Sequence, residues 1–373
     1  MKTSAHEFLP FALERWLVRY EPVARLHLAG IGLAPLTLAG LEEMKVLPKL
    51  DDLPIGYVDS NGQESLREAI AGTYEKQGKE NVLVTHGGIE ALHLILLELA
   101  EPGKRAVVMA PGYQGMSEPL RAAGMEIEKW NFFFEKEYAP DFLALEELLS
   151  TAKILVLNSP HNPTGALLSE EDLKKVLSLA EKNDCHVVCD EVYRGLSLDG
   201  KSAPSVADLS PKAFATGSLS KLYGLPGLRI GWIVGDPTVL QRCWERKDYS
   251  SLSNNTLGER IAESVLIHHS LFLERAARLA SSNWKTLKTW LLEHQEEFEW
   301  VDPRAGLALF PRLKKEKDAE KFCLELLEKE GVLLLPGKVY EKENHLRFGF
   351  GNFAPLPEGL KALDGFLKKR KAP

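Results

Sequence analysis

At 373 residues, 45% of them hydrophobic, the chain can bury a large core, and its length suits two domains or one large α/β domain with an appendage. A formal net charge of -7 gives no basic field for nucleic acid or anionic lipid, and no run of like charge is long enough to act as an interaction tail. Four scattered cysteines, Cys185, Cys189, Cys243 and Cys323, exclude a disulfide framework and fit a reducing cytoplasm.

The opening "MKTSAHEFLPFALERW" has acidic residues where a signal peptide needs an unbroken apolar run, and no segment reaches transmembrane length. From about residue 81 to 235, short β-branched runs alternate with longer amphipathic stretches. Strands are predicted at "NVLVT" (81–85), "RAVVMAP" (105–111), "KILVLN" (153–158), "HVVCDE" (186–191), "AFATGS" (213–218) and "RIGWIVG" (229–235). Cys185 and Cys189 lie four apart in "DCHVVCDE"; the apolar run around them reads as a buried strand rather than a metal pair, and no metal site is expected. After residue 255 the pattern turns helical, and a compact α/β tail runs from "GLALFPRL" to "HLRFGFG". The expected class is therefore α/β: a mostly parallel sheet flanked by helices over residues 46–258, with a smaller α/β domain made of 1–45 and 259–373.

In such sheets ligands bind at the carboxyl ends of the strands, and the unusual residues gather there. In "THGGIEAL" two glycines allow close backbone approach, and the N–H groups of Gly88 and Ile89 open a helix. That is either a phosphate cradle or a plain strand-to-helix turn. Asp190 closes an apolar strand, so its carboxylate needs a cationic or hydrogen-bonding partner; a protonated ring nitrogen would serve, as would a helix-capping role. Lys221 follows Ser218 and Ser220 at the end of another strand. A desolvated lysine is a nucleophile able to form a Schiff base with an aldehyde, and Arg229 with the two hydroxyls can hold a dianionic phosphate. Pyridoxal 5'-phosphate combines that aldehyde, phosphate and ring nitrogen.

Taken in order, "THGG", "PGY", "NSPHNPTG", "DEVYRG" and "SLSKLYGLPGLRIGW" resemble the class I/II aminotransferases of pyridoxal-phosphate fold type I, over nearly the whole chain. The resemblance implies Lys221, Asp190 and Tyr193 as catalytic residues, with Lys221 bonded to the cofactor and later shuttling a proton. Asp190 would pair with the ring nitrogen, Asn162 and Tyr193 would bond the ring's phenolic oxygen, and Tyr113 would stack on the ring. Gly88, Ile89, Ser218, Ser220 and Arg229 would bind the phosphate, joined by Tyr57 from a neighbouring subunit, so a homodimer with shared sites is implied. Arg347, with Asn162, would grip the α-carboxylate of amino acid and 2-oxo acid substrates. The Asn162–Pro163 bond would be cis.

Other stretches, among them "LPFALERWLVRY" and "KDYSSLSNNTLGERIAE", are similar to capreomycidine synthase-like members, which eliminate water from a β-hydroxy amino acid and close a ring. The stretch "LHLAGIGLAPLTLAGL" that should face the substrate is apolar and offers no carboxylate for a guanidinium, and "PRAGLALF" has Ala305 where relatives often carry glycine. Transamination is the preferred reading and elimination or cyclisation the alternative. A nicotinamide dehydrogenase would need G-x-G-x-x-G inside a βαβ unit, and "GIGLAP" at 30–35 lies outside one. A non-catalytic sensor that merely keeps the cofactor fold is a further reading, which turnover with an amino donor would exclude.

Overall fold

The apolar runs between residues 82 and 234 form one seven-stranded sheet in the computed structural model, which describes residues 7–200, 203–352 and 355–371. Its strands are β1 (Val82–Thr85), β2 (Arg105–Ala110), β3 (Glu126–Asn131), β4 (Ala152–Asn158), β5 (His186–Asp190), β6 (Ala213–Ser218) and β7 (Gly231–Val234). They lie in the order β1-β7-β6-β5-β4-β2-β3. All run parallel except β7, which is antiparallel to both neighbours. The predicted strands are present, the last starting two residues later than its apolar run. β3 was not foreseen: "EIEKWN" is an edge strand in which Trp130 alone is fully buried, so it lacks the continuous apolar run of the inner strands.

Side chains alternate across the pleat into two cores. Ala106, Val108, Ile154, Val156, Val188, Phe214 and Ile233 share one buried cluster with Leu92 and Ile95 and with Leu240 and Cys243. Val107, Met109, Leu155, Leu157, Val187, Cys189 and Ala215 join the other, with Val176, Ile261 and Phe272. After α1 (Ala12–Tyr20), the helices behind these names are α2 (Gly88–Leu99), α3 (Glu170–Lys182), α4 (Pro237–Lys247), α5 (Thr256–Ile267) and α6 (His269–Glu293). Both faces of the sheet are thus covered, which leaves the strand ends for a ligand. Local signals set the helix starts: Ser169 and Asp172 exchange hydrogen bonds in a capping box before α3, and Asp236 caps α4 ahead of Pro237.

Toward the C-terminus stand α7 (Ala319–Glu330) and α8 (Leu356–Lys371), and three small sheets lie apart from the large one. Leu26–His27 pairs in parallel with Val332–Leu333, tying the N-terminal segment to the C-terminal part. Leu346–Gly349 is the centre of a three-stranded antiparallel sheet, with Arg347 opposite Leu335. Among the described residues no helix is long and apolar enough to cross a membrane, and no group of His, Cys, Asp and Glu side chains is placed to hold a metal ion.

Candidate active site

Register alone brings the key loops together. Asn158, Asp190 and Thr216 stand side by side on β4, β5 and β6, while Gly231 of β7 lies between Thr85 of β1 and Ser218 of β6. The loops after β1 and β6 therefore meet over β7. Gly87 takes φ +84°, and a Cβ there would stand 2.3 Å from Arg229 Nη2; a Cβ on Gly231 would stand 2.4 Å from the Gly87 carbonyl carbon. Only glycine lets these backbones close on the guanidinium.

The product of that closure is an anion cradle. Gly87 has no side chain to cap α2, whose first N–H groups, at Gly88 and Ile89, have no partner within the helix. Ser218 is buried and its Oγ accepts from the Ser220 N–H at 3.3 Å. Arg229, held by Nη1 donating to Pro226 O at 3.0 Å, pairs with no carboxylate among the described residues. Its backbone is left-handed, φ +53°.

Asp190 is buried, and its Oδ1 accepts from the Val192 N–H at 3.2 Å. Burial pushes its carboxyl up to about 6, against the pull of that N–H and of the Lys221 charge. Glu191, one residue on, faces away: Oε1 accepts from the Val206 N–H at 2.8 Å, and Arg194 lies 3.2 Å from Oε2. Asn158 locks the next loop, its Oδ1 accepting from the Asn162 N–H at 2.7 Å and its Nδ2 donating to Asp190 O at 2.8 Å. The Asn162–Pro163 bond is cis, as are Ala110–Pro111 and Ser159–Pro160. Lys221 follows β6, and desolvation, then the nearby Arg347 charge, lower its pKa below the ordinary lysine range, while Asp190 opposes them.

Arg347 is 2% exposed. Its Nη1 donates to Asn162 Oδ1 at 3.2 Å and to Tyr340 Oη at 2.5 Å, and its Nη2 donates to Ala29 O at 2.7 Å. Its Nε has no partner, and no carboxylate lies within ion-pair distance among the described residues. A buried guanidinium left in this state asks for an anion.

Several expected residues thus share one pocket: the Asp190 and Arg347 charges act on Lys221, Tyr113 and Tyr193, and Asn162 is hydrogen-bonded to Arg347. The Tyr193 hydroxyl donates its proton to Ile31 O at 3.1 Å. Tyr57 is 91% exposed. Three contributors escaped the sequence reading. Tyr340 bridges Asn162 and Arg347. The backbone carbonyls of Ala29 and Ile31 accept from Arg347 and Tyr193, so the apolar N-terminal stretch faces the site through its main chain. Glu14, on α1, acts electrostatically on Lys221.

The residues fit a phosphorylated aldehyde with a basic ring nitrogen. The glycine-opened cradle and Arg229 suit the phosphate, the desolvated lysine suits the aldehyde, and the buried carboxyl regains its charge once a cationic nitrogen meets it.

This is the fold of a pyridoxal-phosphate-dependent enzyme of fold type I. The chain belongs to aminotransferase class I and II, whose family model matches residues 55–363, and the family depends on pyridoxal phosphate. Capreomycidine synthase from Streptomyces vinaceus is 31% identical over 95% of this chain and 93% of its own. A PLP-dependent aminotransferase from Streptococcus suis superposes with a TM-score of 0.93 at 29% identity, over 98% of this chain and all of its own. The PLP-dependent cyclase OrfR superposes with a TM-score of 0.92 at 28% identity, over 99% of this chain and all of its own.

Proposed function

We propose that this chain is an aminotransferase that takes an α-amino acid and pyridoxal phosphate, with Lys221 as its nucleophile and proton carrier. The observation that carries the reading is the unpaired, buried Arg347 guanidinium beside a desolvated lysine. Gly88, Ile89, Ser218, Ser220 and Arg229 would hold the phosphate, Asp190 the ring nitrogen, Tyr113 the ring face, and Asn162 and Tyr193 the phenolic oxygen. When bound, the cofactor supplies an aldehyde for amines and a ring that withdraws electrons from the substrate Cα.

Arg347, fixed by Asn162, Tyr340 and Ala29, binds the substrate carboxylate in a bidentate pair and so sets the direction of the Cα–H bond. Lys221 Nζ, its pKa lowered by burial and by the Arg347 charge, takes the proton from Cα. The Asp190 carboxylate stabilises positive charge on the atom facing it, which burial makes stronger than in water.

A second reading is favoured by the likeness to capreomycidine synthase and to the cyclase OrfR. The same loss of the Cα proton serves elimination when the substrate carries a leaving group at Cβ, and a side-chain nucleophile can then close a ring. Single amino acids added in turn to the holoenzyme separate the two. Stable loss of the visible band with a 2-oxo acid product supports transamination; recovery of the band with ammonia or a ring product supports elimination.

Supporting a homodimer, Tyr57 and Ile55 are exposed on a segment hydrogen-bonded at its backbone. The Thr256 hydroxyl donates to Gly56 O at 2.5 Å, and the buried Lys247 ammonium donates to Ser60 O and Leu252 O, both at 2.6 Å. Tyr57 would then complete the partner's phosphate site. The proposed division is a large domain, 46–258, and a small one, 1–45 with 259–373; residues 1–6, 353–354 and 372–373 of the latter lie outside the described residues. We place the enzyme in the cytoplasm on its four buried, free cysteines.

A further inference from the structure

Tyr57 stands between two pinned carbonyls. Residues 53–63 form no helix or strand, and Tyr57 itself is exposed, so its direction is set through the main chain on either side. Before it, Gly56 O accepts from Thr256 Oγ1 at 2.5 Å; after it, Ser60 O accepts from Lys247 Nζ at 2.6 Å. The Trp244 indole donates to Ser60 Oγ at 2.6 Å, and the buried Glu259 carboxylate accepts from the Gln63 N–H at 2.9 Å. Beyond Ser60 the turn presses on β1: the Val84 N–H donates to Asn61 O at 3.0 Å, and a Cβ on Gly62 would stand 2.2 Å from Val84 Cγ2.

Lys247 is fully buried, and the chemistry of the pocket makes no use of it. Its second bond, to Leu252 O at 2.6 Å, gathers the loop after α4 onto the same ammonium. Desolvation lowers its pKa, and Glu90, Glu259 and Asp248 oppose this without any carboxylate standing within ion-pair distance among the described residues. A buried ammonium in that state is costly, and two charge-assisted bonds to carbonyls offset it, so Ser60 is held by a strong contact.

We infer that Lys247 and Thr256, which pin the carbonyls on either side of Tyr57, are positioning residues for the cofactor phosphate bound by the partner subunit rather than by their own. The inference rests on reading Tyr57 as part of the partner's phosphate site, and its test tells the two claims apart.

Hybrid dimers, purified through a different tag on each chain, are freed of cofactor and titrated with pyridoxal phosphate while the visible band is read. One chain carries Lys221→Ala, so the band reports the other chain's site alone. Tyr57→Phe on the Lys221→Ala chain should weaken that site about tenfold to a hundredfold, as loss of a charged hydrogen bond would. Lys247→Met on the same chain should weaken it about tenfold, and should add little once Tyr57→Phe is present, because both act through one contact. Moved to the chain that keeps Lys221, Lys247→Met should leave the affinity unchanged, which a general loss of structure would not do. Thr256→Val should repeat this pattern and keeps the test open if Lys247→Met fails to fold. Equal loss in both arrangements, loss only in the chain that keeps Lys221, or no loss where Tyr57→Phe gives one, overturns the positioning role alone. Tyr57→Phe without effect overturns the shared phosphate site and the inference with it.

Discussion

Asp190→Asn should make the cofactor-free protein more stable and the enzyme worse. The carboxyl sits buried at the end of β5 with one N–H donor, and its pKa rises from 3.8 to about 6. A shift of roughly 2 units corresponds to about 3 kcal/mol held against the ionised form in the fold. Because the folded pKa lies above the unfolded one, the native state binds the extra proton between about pH 4 and pH 6, and stability falls as pH rises through that window. Asparagine carries no charge and can still accept from the Val192 N–H through Oδ1. The variant should therefore gain about 3 kcal/mol at pH 8, a rise in thermal midpoint on the order of 4 °C for a chain of this length, and almost nothing at pH 4. Cofactor affinity should move the other way, falling about tenfold to a hundredfold with the loss of a charged hydrogen bond. Paired melts of the apoproteins across this pH range, with cofactor titrations at pH 8, read both effects. A variant no more stable than its parent at pH 8, or a gain equally large at pH 4, would refute the reasoning.

Tyr340→Phe removes the 2.5 Å contact that orients Arg347 and should raise KM for amino acids about tenfold with a smaller change in kcat; unchanged KM would contradict the positioning role. Gly87→Ala puts a methyl 2.3 Å from Arg229 Nη2 at a backbone φ of +84°, so cofactor titration should show at least a tenfold loss and the melt a cost of about 1 to 3 kcal/mol. Since the Arg347 charge lowers the Lys221 pKa, Arg347→Gln should move the pH midpoint for cofactor capture upward; an unmoved midpoint in the rate of band formation would count against that coupling. Mixing Lys221→Ala and Tyr57→Ala chains should restore roughly a quarter of the sites if Tyr57 serves the partner's pocket, whereas no recovery would place Tyr57 within its own.

The loops of this site were legible because each follows a buried strand whose apolar run is visible in the sequence, and a parallel sheet sends those strand ends to one edge. What the sequence hid came from outside that logic. Glu126–Asn131 escaped because an edge strand need not be apolar. Tyr340 and Glu14 reach the pocket from a 3₁₀ turn and a helix far along the chain, and neither sits in a motif that announces its direction. The stretch around Ala29 and Ile31 contributes carbonyl oxygens, which every residue has, so its composition could not disclose the role. The split between α5 and α6 at His268 likewise interrupts a pattern that reads as continuously helical.

The central claim is that Lys221 is the residue that captures the cofactor. It is tested most directly by reducing the holoenzyme with borohydride and mapping the peptide that gains the mass of the reduced cofactor. The account predicts that mass on Lys221 alone, and its disappearance in Lys221→Ala. Attachment at another lysine, or none at all to a protein that binds the cofactor, would contradict it.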